Sequence, residues 1–142
     1  MQQCCIKNMS ELLKHKSIRI TDFRIKVLEV FEKHTNAISV KTIENELVKF
    51  DRTTLFRTLN TFVDKGIIHP ISLVGSDTKY GLCLDECSND NHEHNHVHLD
   101  CKSCNEVYCI DIESLPTLNL GNHKIDSVEI QASGICEKCL LN

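Results

Sequence analysis

The chain has no tryptophan, only two prolines and 5% aromatic residues. That shortage argues against a reader of single-stranded nucleic acid, which works by stacking bases on exposed rings. No apolar run approaches the roughly 20 residues of a membrane span. The first ten residues lack the apolar stretch of an export signal, so the expected setting is the cytoplasm. Internal repeats and extended low-complexity tracts are also missing. What remains is 142 residues, 41% apolar and 25% charged, a globular composition with room for one ordinary domain or two small ones.

Charge divides the chain. Residues 1–70 carry 12 Lys and Arg against 8 Asp and Glu, a net of +4, whereas residues 71–142 carry 4 against 12, a net of −8. A basic first half suits a polyanionic partner, and the acidic second half does not. Metal-binding residue types are equally uneven. Seven of nine cysteines lie at or beyond Cys83, and five of eight histidines lie between His92 and His123. In a chain with no export signal such clusters point to metal rather than to a disulfide scaffold. The pattern predicts a domain over 1–83, a linker over 84–91 rich in Asp, Glu, Ser and Asn, and a second domain over 92–142.

The first half reads as helical. A weak amphipathic stretch runs from Met9 to Leu13. Thr21 is a helix cap with Phe23, Val27, Val30 and Phe31 on one face. Ser39 caps a second helix with Val40, Ile43 and Leu47 inward. Asp51 caps a third with Leu55, Leu59, Phe62 and Val63 inward, and Gly66 stands where a terminating glycine belongs. About three residues (Lys49 to Asp51) join the last two, a helix-turn-helix connection. Residues 67–74 and 78–84 then read as a hairpin about Gly75-Ser76-Asp77, which makes a winged helix. In the second half, Val107 to Ile112 and Lys124 to Gln131 read as strands. The expected class is α+β, a winged helix-turn-helix followed by a small α/β domain.

Two patterns carry chemistry. Cys101-x-x-Cys104 and Cys136-x-x-Cys139 are paired knuckles, each offering two thiolates from a tight turn, and together they complete a tetrahedral shell for Zn²⁺. A shell of four protein ligands leaves no open position, so its role is structural. His92, His94, His96 and His98 alternate, and on a strand they share a face. The same stretch contains His92-Glu93-x-x-His96, a zinc-peptidase pattern that works only on a helix. Its flanks, Ser-Asn-Asp-Asn upstream, favour extended chain instead.

With these residues in view, the sequence resembles the ferric uptake regulator family of metal-sensing repressors over nearly its whole length. Arg19-x-Thr21-x-x-Arg24-x-x-Val27-Leu28 is similar to the family's first DNA-side motif. The run from Asp51 to Leu59 is similar to its recognition helix, with Phe56 where tyrosine is usual. His96-x-His98-x-x-Cys101-x-x-Cys104 and Gly134-x-Cys136-x-x-Cys139 are similar to the two ends of its dimerisation domain. The resemblance implies a homodimer that binds double-stranded operator DNA when a regulatory metal is bound. It places Arg19, Thr21, Arg24, Arg52, Thr54, Phe56, Arg57 and Lys79 on the DNA side. Arg57 has the fork for guanine or phosphate, and Arg19, Arg24 and Lys79 suit backbone contacts.

The regulatory site decides which metal is sensed. Where the iron- and peroxide-sensing branches place a histidine after the second helix, this chain has Ala37, with His34 nearby. Where they place a carboxylate five residues after the second knuckle cysteine, it has Cys109. The zinc uptake regulator branch is the better match. It implies a regulatory set of His69, Cys83, His96 and His98, a nitrogen-and-sulfur shell that Zn²⁺ favours. Cys109 itself reads either as a buried strand residue or as a further ligand, burial being the better fit. Cys4, Cys5 and Cys87 belong to no motif, and His15 and His123 read as surface residues. The function expected is a zinc-responsive repressor, not an enzyme. An iron-, manganese- or peroxide-responsive repressor is the alternative, with a zinc peptidase or a thiol redox sensor as readings from other classes.

Overall fold

One kind of hydrogen bond starts three of the helices. Thr21, Ser39 and Asp51 sit in extended backbone, and each side-chain oxygen accepts the N–H three residues on, from Arg24 at 3.2 Å, Thr42 at 3.2 Å and Thr54 at 2.9 Å. The computed structural model describes residues 9–72, 75, 77–82, 96–114, 116–126 and 128–142. It divides into two units, Met1–Asn91 and His92–Asn142.

The first unit contains α1 (Met9–His15), α2 (Asp22–Lys33), β1 (Ile38–Ser39), α3 (Val40–Glu46), α4 (Arg52–Asp64), β2 (Ile68–Ile71) and β3 (Lys79–Leu82). Val27, Leu28, Val30 and Phe31 of α2 meet Ile43 of α3 and Leu55, Leu59 and Phe62 of α4 in one core, completed by Leu13, Ile18, Ile38, Ile67 and Ile68. Each such side chain contributes about 1.5–3 kcal/mol on burial, so this core is what holds α4 in place. Phe23, Val40, Leu47 and Val63, expected inward, pack at its edge and are partly buried.

Helix α4 ends in a Schellman turn. Gly66 takes φ 71°, its N–H donates to the Val63 carbonyl at 3.0 Å, and the Ile67 N–H donates to the Phe62 carbonyl at 2.8 Å. The chain then enters the wing, where β2 and β3 pair antiparallel with His69 opposite Gly81 and Ile71 opposite Lys79. A third strand escapes the sequence pattern. Ile38 and Ser39 pair with Tyr80 and Lys79, giving the order β1-β3-β2. The link between α3 and α4 is also longer than the spacing predicts. Helix α3 stops at Glu46 because Leu47 turns to ψ 128°, leaving residues 47–51 between the helices.

The second unit contains β4 (His96–Cys101), β5 (Val107–Asp111), β6 (Ile130–Gly134) and the single turn α5 (Glu137–Leu140). Strand β4 is central, antiparallel to β5 and parallel to β6. The last strand lies at 130–134 rather than across 124–131. The reason is that parallel pairing with β4 (Leu99 beside Ala132, Cys101 beside Gly134) defines it, not its own apolar pattern.

This unit has little apolar interior of its own. Among its described residues the buried side chains are His98, Cys101, Val107 and Cys136, whereas Ile110, Leu118, Leu120, Ile125, Val128, Ile135, Leu140 and Leu141 are exposed. A unit this small is marginal without a metal clasp or an oligomer partner.

Candidate functional site

Two tight turns bring the four knuckle cysteines together. After β4 the chain reverses through Asn105, at φ 60°, whose N–H donates to the Cys101 carbonyl at 2.8 Å. Asparagine tolerates that left-handed backbone better than most residues. After β6, Cys136 stands at the start of α5, and the Cys139 N–H donates to its carbonyl at 3.0 Å. The Cys101–Cys139 and Cys104–Cys136 sulfur separations are 3.9 and 3.8 Å. A tetrahedron with Zn–S bonds of about 2.3 Å has edges of about 3.8 Å. Those two edges match a four-thiolate ion, and all four sulfurs lie within 4.8 Å of one another.

The electrostatics of the cluster also suit a cation. The backbone N–H groups of Cys104 and then Cys136 point at the Cys101 sulfur, the latter at 3.3 Å, and draw its thiol down from 9.0 to about 6. Cys136 is lowered likewise, chiefly by the Cys139 N–H. At Cys139 the Ser103 hydroxyl pulls downward, but hydrogen bonding to Cys136, burial and the remaining sulfurs outweigh it and push the thiol up to about 11. Tyr108 is raised by hydrogen bonding to Cys136, by burial and by Cys104, whose sulfur is 4.0 Å from its hydroxyl. Some thiols are thus ready to bind metal, and others must first lose a proton.

Of the expected regulatory set, His69 belongs to the first unit and His96 and His98 to the second. His69 is half-buried on β2, His96 opens β4, and His98 is buried on β4 at 5% exposure. Cys83, with His92 and His94, lies outside the described residues. Cys109 is a correction: expected to be buried, it is exposed on the edge strand β5, directly opposite His98. Sequence reasoning missed that pairing, since it depends on the register of β4 against β5. Ala37 is buried, and His34 is hydrogen-bonded to Glu46, so α2 and α3 share a polar latch there. His96 begins a strand and not a helical turn, which removes the geometry a peptidase motif needs at its second histidine.

On the first unit, α4 presents Thr54, Phe56 and Arg57 to solvent, Phe56 at 43% exposure. The Asp51 carboxylate accepts from the Thr54 hydroxyl and N–H, both at 2.9 Å, and these bonds hold it below the ordinary carboxylate range. Thr54 therefore helps to cap α4. Arg52 reaches back to Glu44 at 2.8 Å. Ahead of α2, the Arg24 guanidinium donates to the Arg19 carbonyl at 2.8 Å, and Thr21 is the cap. Lys79 is half-buried on β3. Of the expected DNA-side residues, Arg19, Phe56 and Arg57 are exposed, while Thr21, Arg24, Arg52 and Thr54 also hold the local structure.

A capped helix projecting an aromatic and an arginine from a winged-helix unit, followed by a unit built around four convergent thiols, defines a metal-binding regulator of the winged-helix class. Residues 15–133 match the ferric uptake regulator family model, and the chain belongs to that family. It is 30% identical to the ferric uptake regulation protein of Staphylococcus epidermidis, the match covering 91% of each chain. At the level of fold it is similar to the ferric uptake regulator of Vibrio cholerae (TM-score 0.62, 22% identity, 91% of this chain and 100% of that one). It is also similar to a zinc uptake regulator complexed with zinc and DNA (TM-score 0.61, 18% identity, 93% and 90%). Members of this family are transcription regulators, not enzymes, which disposes of the peptidase reading. No helix among the described residues is long and apolar enough to cross a membrane.

Proposed function

We propose that the chain is a zinc-responsive transcriptional repressor that binds operator DNA as a homodimer in the cytoplasm. The observation that carries this reading is the donor chemistry. The cysteines at 101, 104, 136 and 139 have tetrahedral spacing, and the remaining candidates, His69, Cys83, His96 and His98, offer nitrogen and sulfur without a carboxylate. Such shells favour Zn²⁺ over the oxygen-preferring Mn²⁺.

In this reading Cys101, Cys104, Cys136 and Cys139 hold a structural zinc that supports the dimerisation domain, 92–142. The exposed apolar residues of that domain, Ile110, Leu118 and Ile135 among them, suit burial against a second copy. A regulatory zinc would be held by His69 and Cys83, which precede the 84–91 linker in sequence, and by His96 and His98, which follow it. A bound ion there supplies a cross-link among its ligands and no catalysis. The ligands must be neutral imidazole and thiolate, so their grip weakens in mild acid. Phe56 and Arg57 read bases, while Arg19 and Lys79 engage phosphates. The allosteric range of about 1–3 kcal/mol corresponds to roughly 5- to 150-fold in operator affinity.

The test is operator binding against buffered free zinc. Wild type should tighten with zinc, and Cys83→Ser with His96→Ala should not. Equal responses would overturn the ligand assignment. A second reading, an iron-responsive repressor, is favoured by the ferric uptake regulation name of the staphylococcal relative. It requires the wild-type response to follow buffered Fe²⁺ instead.

A further inference from the structure

Strand β5 turns a tyrosine onto the four-cysteine cluster. Tyr108 lies opposite Leu99 of β4, in the strand that follows the first knuckle. Side chains alternate along a strand, so its ring leaves the sheet on the face opposite to those of Val107 and Cys109. There its hydroxyl stands 4.0 Å from the Cys104 sulfur of the first knuckle and hydrogen-bonds Cys136 of the second. The other sulfurs draw on partners inside the knuckles. Cys101 accepts the Cys136 N–H at 3.3 Å, Cys136 has the Cys139 N–H, and Cys139 has the Ser103 hydroxyl. Tyr108 reaches the cluster from outside both turns.

Exposure gives that contact its meaning. Cys101 and Cys136 are buried, whereas Cys104 is exposed, and an exposed thiolate is the one an electrophile meets first. A metal-bound thiolate has no proton to give, so in a loaded site the phenol is the donor. Four thiolates on one Zn²⁺ leave a surplus of negative charge on sulfur, and a donated hydrogen bond draws some of it away. We propose that the Tyr108 hydroxyl is a hydrogen-bond donor to the zinc-bound thiolates of Cys104 and Cys136, a positioning residue that links the two knuckles and blunts the reactivity of the exposed one. The proposal rests on the structural-zinc reading above.

Tyr108→Phe keeps the ring and removes the donor. The full-length protein is first dialysed against a chelator until only tightly held zinc remains. Iodoacetamide is then added, and zinc release is followed with a chromophoric chelator. Tyr108→Phe should release its zinc roughly tenfold faster than wild type, the usual scale for losing a hydrogen bond to a metal ligand. With Co²⁺ in place of zinc, its thiolate-to-cobalt absorption should move to longer wavelength, because sulfurs without the donor hold their electrons less tightly. A change in packing alone would not move that band. Tyr108→Leu, which also removes the ring, should show the same shift. If the band stays in place, or if the release rate is unchanged, the inference falls and the structural-zinc reading stands. If dialysed wild type holds no zinc at all, both fall.

Discussion

The guanidinium of Arg24 donates to the backbone carbonyl of Arg19 at 2.8 Å, across the entry to α2. The same residue's N–H is the donor that Thr21 caps. Arg24 thereby fixes the turn from which Arg19 projects. Arg19→Ala should weaken binding to operator and unrelated duplex alike and lower the salt slope by about 1, as a lost phosphate contact does. Arg24→Ala should weaken binding by about fivefold, the worth of one hydrogen bond of about 1 kcal/mol. In an Arg19→Ala background it should have little further effect. Fluorescence anisotropy across a salt series measures all three, and additive effects would show that Arg24 touches DNA independently.

Arg52 is 72% exposed in its side chain and tied to Glu44 at 2.8 Å. Exposed pairs contribute about 0–1 kcal/mol, so Glu44→Ala should barely change the thermal midpoint. It should nevertheless release Arg52 toward phosphates, raising affinity for non-specific duplex and steepening its salt dependence by about one counterion.

Phe56 presents a ring without a hydroxyl. Phe56→Tyr should shift base preference at one operator position by about 1 kcal/mol, the net value of one hydrogen bond. Phe56→Ala should reduce specific binding while leaving non-specific binding unchanged. Selection from a randomised operator reads both outcomes.

Zinc uptake at the four cysteines should depend on pH with a defined sign. Cys139, pushed up to about 11, is protonated at neutral pH, so zinc must displace its proton and affinity should rise roughly tenfold per pH unit for each such thiol. Below about 6 Cys101 also becomes protonated, and the dependence should steepen. In the metal-free chain the two thiols act in opposite windows. Stability from Cys101 is present above 9.0 and lost as pH falls through about 6, and that from Cys139 is present below 9.0 and lost as pH rises through about 11. Competition with a chromophoric chelator from pH 5.5 to 8 checks the metal dependence; a flat profile would contradict it.

Local chemistry was the legible part of this fold. The caps at Thr21, Ser39 and Asp51 and the Gly66 turn are readable because each is decided within a few residues. The knuckles were readable for the same reason, each being a tight turn. Non-local pairing was not. The two-residue strand Ile38–Ser39 exists through its bonds to Lys79 and Tyr80, and Ile130–Gly134 through its place beside β4. The apposition of His98 and Cys109 belongs with these, since a shift of one residue in register would part them. The exposure of Cys109 follows from the place of β5 at a sheet edge, which no window of sequence reports.

Cys101 closes β4 and Cys136 follows β6, the two strands lying side by side, so an ion held by the knuckles would staple the opening of the second unit to its end. Everything between is then a closed ring. A protease cut anywhere in residues 112–129 would leave two pieces still fastened together, and insertions there would lengthen the ring at little entropic expense, about 0.6 kcal/mol for each doubling.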